Sequence, residues 1–340
     1  MRGRGHFGGL LKPIPDEAFS AWLGRGVRSK NPIPFECGAR CLEGLGIKDA
    51  DGVLSSAAVE DLSRALGLSG ESLRRSFPLP GCWLKAPSEG RLQFCEYCLL
   101  NDFCCDHQPT LRFTWFYWWF TVCPVHRTLL GKKESTSAPA ALLSFIQFNQ
   151  SLGQFALWTP NRLSWNYVFD RLVYMALDFQ HWYLKSVQRG SCIIGDVELP
   201  VGDVELAMGD ILAIIGKKRS YPFDQRSYVA ELLNIKSWCS LRSDLHPDSG
   251  CEPFLCLDVG EHPVNIRMAM FALLGLFLKL PRCVHMWGLG TGLSPRFIEG
   301  LWSSMHRDAV RVPSYLAWFK QRSESWSAPV RAHFRYLLDS

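Results

Sequence analysis

The sequence has no apolar run long enough to cross a bilayer. The longest, Met268 to Leu278, falls short of the roughly 20 residues that a spanning helix needs and is expected to form a core helix. Charge of one sign is lacking too: 37 Lys and Arg stand against 32 Asp and Glu, a net of +5. That balance excludes a protein that holds nucleic acid by bulk electrostatics alone, and leaves a local basic face or nucleic acid met inside a larger assembly. The start, Met1-Arg2-Gly3-Arg4-Gly5, has neither the apolar core nor the cleavage site of a secretory leader. The 13 cysteines are therefore read as reduced thiols of a cytoplasmic protein, not as a disulfide framework. No paired carboxylates, Asp-Asp-Glu-like constellation or nucleophile elbow stands out, so no enzyme is expected. The glycine-rich loop Gly288 to Pro295 lacks the Lys-Ser/Thr ending of a phosphate loop and reads as a connection.

What is present is a pair of metal-ligand spacings. Cys95-Glu96-Tyr97-Cys98 is followed, after twenty-four residues, by Cys123-Pro124-Val125-His126. Two intervening residues let a tight turn aim both side chains of a pair at one ion, and two such pairs complete a tetrahedron of three sulfurs and one imidazole nitrogen. Cys95, Cys98, Cys123 and His126 are thus the expected ligands of one structural Zn2+. With no open position for water, its binding energy becomes folding energy. Cys104, Cys105 and His107 lie between the pairs and offer alternative ligands, although adjacent cysteines point apart.

The segment from Leu111 to Val122 is the most aromatic of the chain. It reads equally as a strand or as a short buried helix, because periodicity does not decide between them. Its rings are expected to wrap the metal site as core, with base stacking as the other use.

Upstream, Pro13-Ile14-Pro15-Asp16-Glu17 reads as an extended lead into a helix bearing Phe19, Trp22 and Leu23 on one face, with Asp16 and Glu17 at its N-terminus. Residues 1–12 read as a flexible arm. Apolar residues at 58, 59, 62, 65 and 66 make a helical face that Gly67 ends, and Ser69 can cap a second helix carrying Leu73 and Phe77. The 57–77 pair has a helix-turn-helix-like layout, which would bring Glu71, Ser72, Arg74 and Arg75 near DNA. The same layout is a common packing and docking unit.

Taken together, Pro13-x-Pro15-Asp16-Glu17, Ser20-x-Trp22-Leu23-x-Arg25, Phe94-Cys95-x-x-Cys98-Leu99, the surroundings of Arg112 and Trp115, and Val122-Cys123-Pro124-x-His126 with Leu129-Leu130 closely resemble the TniQ family of transposition target-selection proteins. The resemblance covers about residues 11–131. It departs from the family's pattern at Glu96, where many relatives have proline, and after His126, where a second cysteine pair of several relatives is missing. A second metal site is therefore not expected. The resemblance implies a non-catalytic adaptor that links target DNA, or an RNA-guided CRISPR effector complex, to a TnsC-type AAA+ ATPase and a transposase. Trp22, Arg25, Arg74, Arg75 and Arg112 are its contact candidates. A zinc-containing transcription regulator is the alternative.

The expected architecture is mainly α: a TniQ-like domain over 13–133 with a zinc-ribbon-like module at 94–130, a linker at 134–141, and a helical domain over 142–340 that serves a targeting partner or a homodimer. Helices are expected at 142–152, 165–187, 227–241, 264–280, 295–305, 314–321 and 329–338. The near-repeat Gly-Asp-Val-Glu-Leu at 195–199 and 202–206 reads as a short hairpin or turns.

Overall fold

The computed structural model describes residues 9–55, 57–77, 81, 83–105, 108–132, 138–151, 167–216, 227–233, 259–288 and 313–335. They are mainly helical, and among them no single helix is long and apolar enough to cross a membrane. The chain divides into two units, one of residues 1–120 and 130–160, the other of residues 121–129 and 161–340.

The first unit opens with α1 (Phe19–Val27) and α2 (Ile33–Gly44). Phe19, Trp22 and Leu23 fall on one face of α1, as the spacing predicts, and form a core with Phe35 of α2, Leu62, Leu66 and Phe77. Trp22 is fully buried, its ring 4.9 Å from that of Phe35. A buried tryptophan removes about 150–250 Å2 from water, worth several kcal/mol at about 25 cal/mol per Å2. The two helices touch where α1 offers Gly26: a Cβ there would lie 2.0 Å from the Phe35 ring.

The pair α3 (Val59–Leu66) and α4 (Gly70–Ser76) forms with the stop and start that the sequence announces. Gly67 takes a left-handed φ of 66° and closes α3. The Ser69 hydroxyl accepts the Ser72 amide at 3.1 Å and caps α4.

Asp16 and Glu17 stand just before α1, outside its first turn. One expectation at the N-terminus is corrected. Residues 9–12 are no arm: Leu10 and Leu11 pack against the core, and the Leu11 carbonyl accepts the Trp22 indole N–H at 2.7 Å.

The aromatic segment is neither a continuous strand nor an α-helix. It holds one 3-10 turn, Phe113–Phe116, threaded between two other stretches by isolated antiparallel bridges, Glu17 to Arg112 on one side and Lys85 to Tyr117 on the other. Ala18 donates to the Leu111 carbonyl and Trp118 to that of Leu84, each at 2.9 Å. Phe113, Trp115, Phe116, Tyr117 and Trp119 are all buried, and the backbone between them is satisfied by these scattered bonds in place of a continuous ladder.

A two-residue strand, β1 (Gln93–Phe94), leads into α5 (Glu96–Cys104) and pairs antiparallel with β2 (Gly131–Lys132). Helix α6 (Ala138–Ser151) starts inside the stretch read as linker and packs on α5.

In the second unit, α7 (Tyr167–Arg189) leads to a hairpin of β3 (Ser191–Ile194) and β4 (Val197–Pro200), then to α8 (Val201–Gly216) and α9 (Tyr228–Leu232). It continues with α10 (Val264–Phe277), α11 (Pro281–Gly288), α12 (Pro313–Glu324) and α13 (Ala328–His333). The two Gly-Asp-Val-Glu-Leu copies fold differently. The first makes the turn and β4, with Gly195 at φ 60°; the second lies in the first turns of α8, whose following residues up to Ile215 are a mostly apolar, mostly buried run that includes Asp210. Helix α10 is buried from Ile266 to Phe277 and lies against α7, where Phe271 stacks on Phe179 at 5.3 Å. The helix expected at 295–305, most of that at 227–241 and the end of that at 329–338 lie outside the described residues.

Candidate metal centre and contact surfaces

Cys95 is the N-cap residue of α5 and Cys98 lies in its first turn. This differs from a zinc-ribbon knuckle: the first pair is mounted on a helix start, with extended φ/ψ at Cys95 and helical backbone from Glu96 on.

Cys123 and His126 sit on a closed loop. Arg127 donates to the Cys123 carbonyl at 2.8 Å and Cys123 to that of Thr128 at 2.9 Å, and a Val122 to Leu129 bridge shuts the base. The chain turns through Arg127, whose φ is 54°.

The three Sγ atoms and a ring nitrogen of His126 all lie within 4.8 Å of one another, with Cys95 and Cys123 buried and Cys98 and His126 half-buried. The cluster can hold a metal ion. Cys123 Sγ stands 3.5 Å from His126 Nδ1, so Nδ1 is the nitrogen facing the Cys123 sulfur. Cys104 and Cys105, the alternatives raised above, are exposed at the far end of α5 and lie outside the cluster. His107 lies outside the described residues.

The contact candidates separate into two sets. Trp22 is core, and Arg25 is buried with Glu17, donating through Nε at 2.8 Å and Nη2 at 2.6 Å. Glu17 also accepts from Thr110 Oγ1 at 2.8 Å and from the Ile14 amide at 2.8 Å. As a docking face this pair is corrected: both side chains shape the unit from within. Arg112 pairs with the buried Asp102 at 2.6 Å and lies over the Trp115 ring, which makes it a strut of the aromatic segment.

Arg74 and Arg75 do reach the surface, with Glu71 beside them and Ser72 half-buried. Arg74 is 3.6 Å from Glu60, Arg75 pairs with Glu71, and Arg64 with Asp61. Three arginines facing three carboxylates leave this helix pair without the positive stripe that phosphate binding draws on.

Sequence reading missed a second, partly buried network, Arg91 with Asp49 at 2.7 Å and Asp51 at 3.3 Å, joined by Lys85 at 3.2 Å. The guanidinium and ammonium neighbours hold the Asp49 carboxyl at about 2, against the opposing pull of burial. Burial pushes the Asp51 carboxyl up, although it accepts the Ser20 amide and faces Arg91. Comparison with protein-family models, with curated proteins and with solved structures finds no match to this chain.

Proposed function

We propose that this chain is a non-catalytic, TniQ-like target-selection adaptor in DNA transposition, linking a target site or a targeting complex to a TnsC-type AAA+ ATPase and the transposase. One observation carries the reading: the Cys95, Cys98, Cys123 and His126 donors converge within 4.8 Å inside the stretch whose motifs resemble that family. The ion is Zn2+. Zn–S distances of about 2.3 Å and Zn–N distances of about 2.0–2.1 Å put sulfur and nitrogen about 3.5 Å apart on a tetrahedron edge, and Cys123 and His126 stand 3.5 Å apart.

Four protein ligands close the site to water, so the metal supports structure and does not activate a nucleophile. The balanced charges around α3 and α4 favour an adaptor over a self-sufficient transcription regulator, which needs phosphate contacts and a steep salt dependence. The helical second unit then serves the targeting partner or a second copy.

The test is retention of the purified chain by a TnsC-type ATPase. The wild type is expected to be retained, and Cys98→Ser to lose zinc and folded protein together. A zinc-loaded wild type that the ATPase does not retain removes the adaptor reading and leaves the metal site standing.

A further inference from the structure

Gln180 stands in the middle of α7, only 3 % exposed. Its carboxamide oxygen accepts the Thr121 and Val122 amides at 2.9 and 3.0 Å and the Thr121 hydroxyl at 3.3 Å, while its nitrogen donates to the Val122 carbonyl at 2.9 Å. One side chain thus does for this segment what a neighbouring strand would do, using both its donor and its acceptor. Thr121 and Val122 are fully buried, and buried main-chain groups without partners are costly.

The residue after Val122 is Cys123. Beyond the ligand loop, α7 takes a second hold: the Arg127 guanidinium lies 5.8 Å from the centre of the Tyr174 ring. The ligand pair is therefore gripped by one helix on either side, at positions 58 residues apart in the chain for Gln180 and Val122. Backbone fixed this way constrains where the Cys123 Sγ lies in the folded chain, and groups that orient ligands govern metal affinity.

We propose that Gln180 is the positioning residue of the metal site, holding the Cys123–His126 ligand pair in its metal-binding conformation through the backbone of Thr121 and Val122. This rests on the metal reading above.

The experiment withdraws zinc from the purified, zinc-loaded full-length chain with graded amounts of a chromophoric chelator. Four proteins are compared: wild type, Gln180→Met, which keeps the volume and loses every hydrogen bond, Gln180→Glu, which keeps the acceptor, and Phe179→Leu. The last loosens the same helix against Phe271, on which the Phe179 ring stacks, and leaves the Gln180 hydrogen bonds in place. Gln180→Met is expected to lose about 10–100-fold in zinc affinity, the range for residues that orient ligands. Gln180→Glu should recover part of that, and Phe179→Leu should lower the melting temperature with zinc affinity unchanged.

Equal loss of zinc affinity in Gln180→Met and Phe179→Leu would overturn the inference, because α7 would then matter only as packing. So would unchanged affinity in Gln180→Met or, if that variant does not fold, in Gln180→Glu. A folded wild type that takes up no zinc overturns the metal reading and this inference together.

Discussion

The two units fill their interiors in different ways. In the first, charge is buried: Glu17 with Arg25, Asp102 with Arg112, and Asp51 with Arg91 all lie largely out of solvent. In the second, α10 and α8 bury long apolar runs, interrupted by Arg267, which donates to the His262 carbonyl at 3.0 Å, and by Asp210, which accepts from Trp326 Nε1 at 2.8 Å and from Arg322 at 3.0 Å. A short-helix unit with irregular segments has many main-chain groups and few long apolar faces, so its parts are tied by directional bonds. A long-helix unit satisfies most of its backbone internally and leans more on shape, with Gln180 tying the Thr121 and Val122 backbone by directional bonds. Directional ties specify one arrangement; removing one partner leaves a charge with nowhere to go.

That contrast is tested first by Glu17→Met. It takes the carboxylate from the Arg25 guanidinium, which is 9 % exposed and keeps the Lys12 carbonyl at 2.9 Å, and is expected to cost about 3–5 kcal/mol, whereas replacing both partners with apolar residues recovers part of the loss. Chemical denaturation of the single and double variants reads this directly, and additive losses would contradict it.

In the second unit, Phe271→Ala removes the ring stacked on Phe179 and should also cost about 3–5 kcal/mol, as a cavity. Here no second substitution that merely matches charge restores the loss, and the cost should be the same at neutral and acid pH.

The smallest expected effect is in pH. Asp49 is held at about 2 when folded, against an ordinary 3.8. A depressed carboxyl contributes stability that is present above the ordinary value and lost as pH falls through the folded one, so the window is pH 4 to 2. Asp51, raised by burial, contributes with the opposite sign, favouring the fold when protonated. Asp49→Asn should therefore lower the melting temperature at neutral pH and flatten its fall between pH 4 and 2. Parallel curves for the variant and the wild type would mean that Asp49 carries none of the acid sensitivity.

What could be read from the sequence was local. The ligand spacings, the Gly67 stop and the Ser69 cap each need only four to six neighbouring residues, and each is found where the pattern puts it. What escaped was non-local or context-made. Arg25 looked like a surface residue because nothing in its neighbourhood announces that Glu17, eight residues earlier, turns inward to meet it. Gln180 carries no motif at all, since its partners lie 58 and 59 residues away. The repeated Gly-Asp-Val-Glu-Leu makes the same point within one unit. Identical residues form a hairpin strand where a turn precedes them, and a helix start where an apolar run follows.

The central claim is that a single ion, closed off by three thiolates and an imidazole, belongs to the folded state of this chain. Elemental analysis of the purified, folded wild type tests it most directly. The account expects one zinc per chain; a fully folded chain that carries no metal would contradict it.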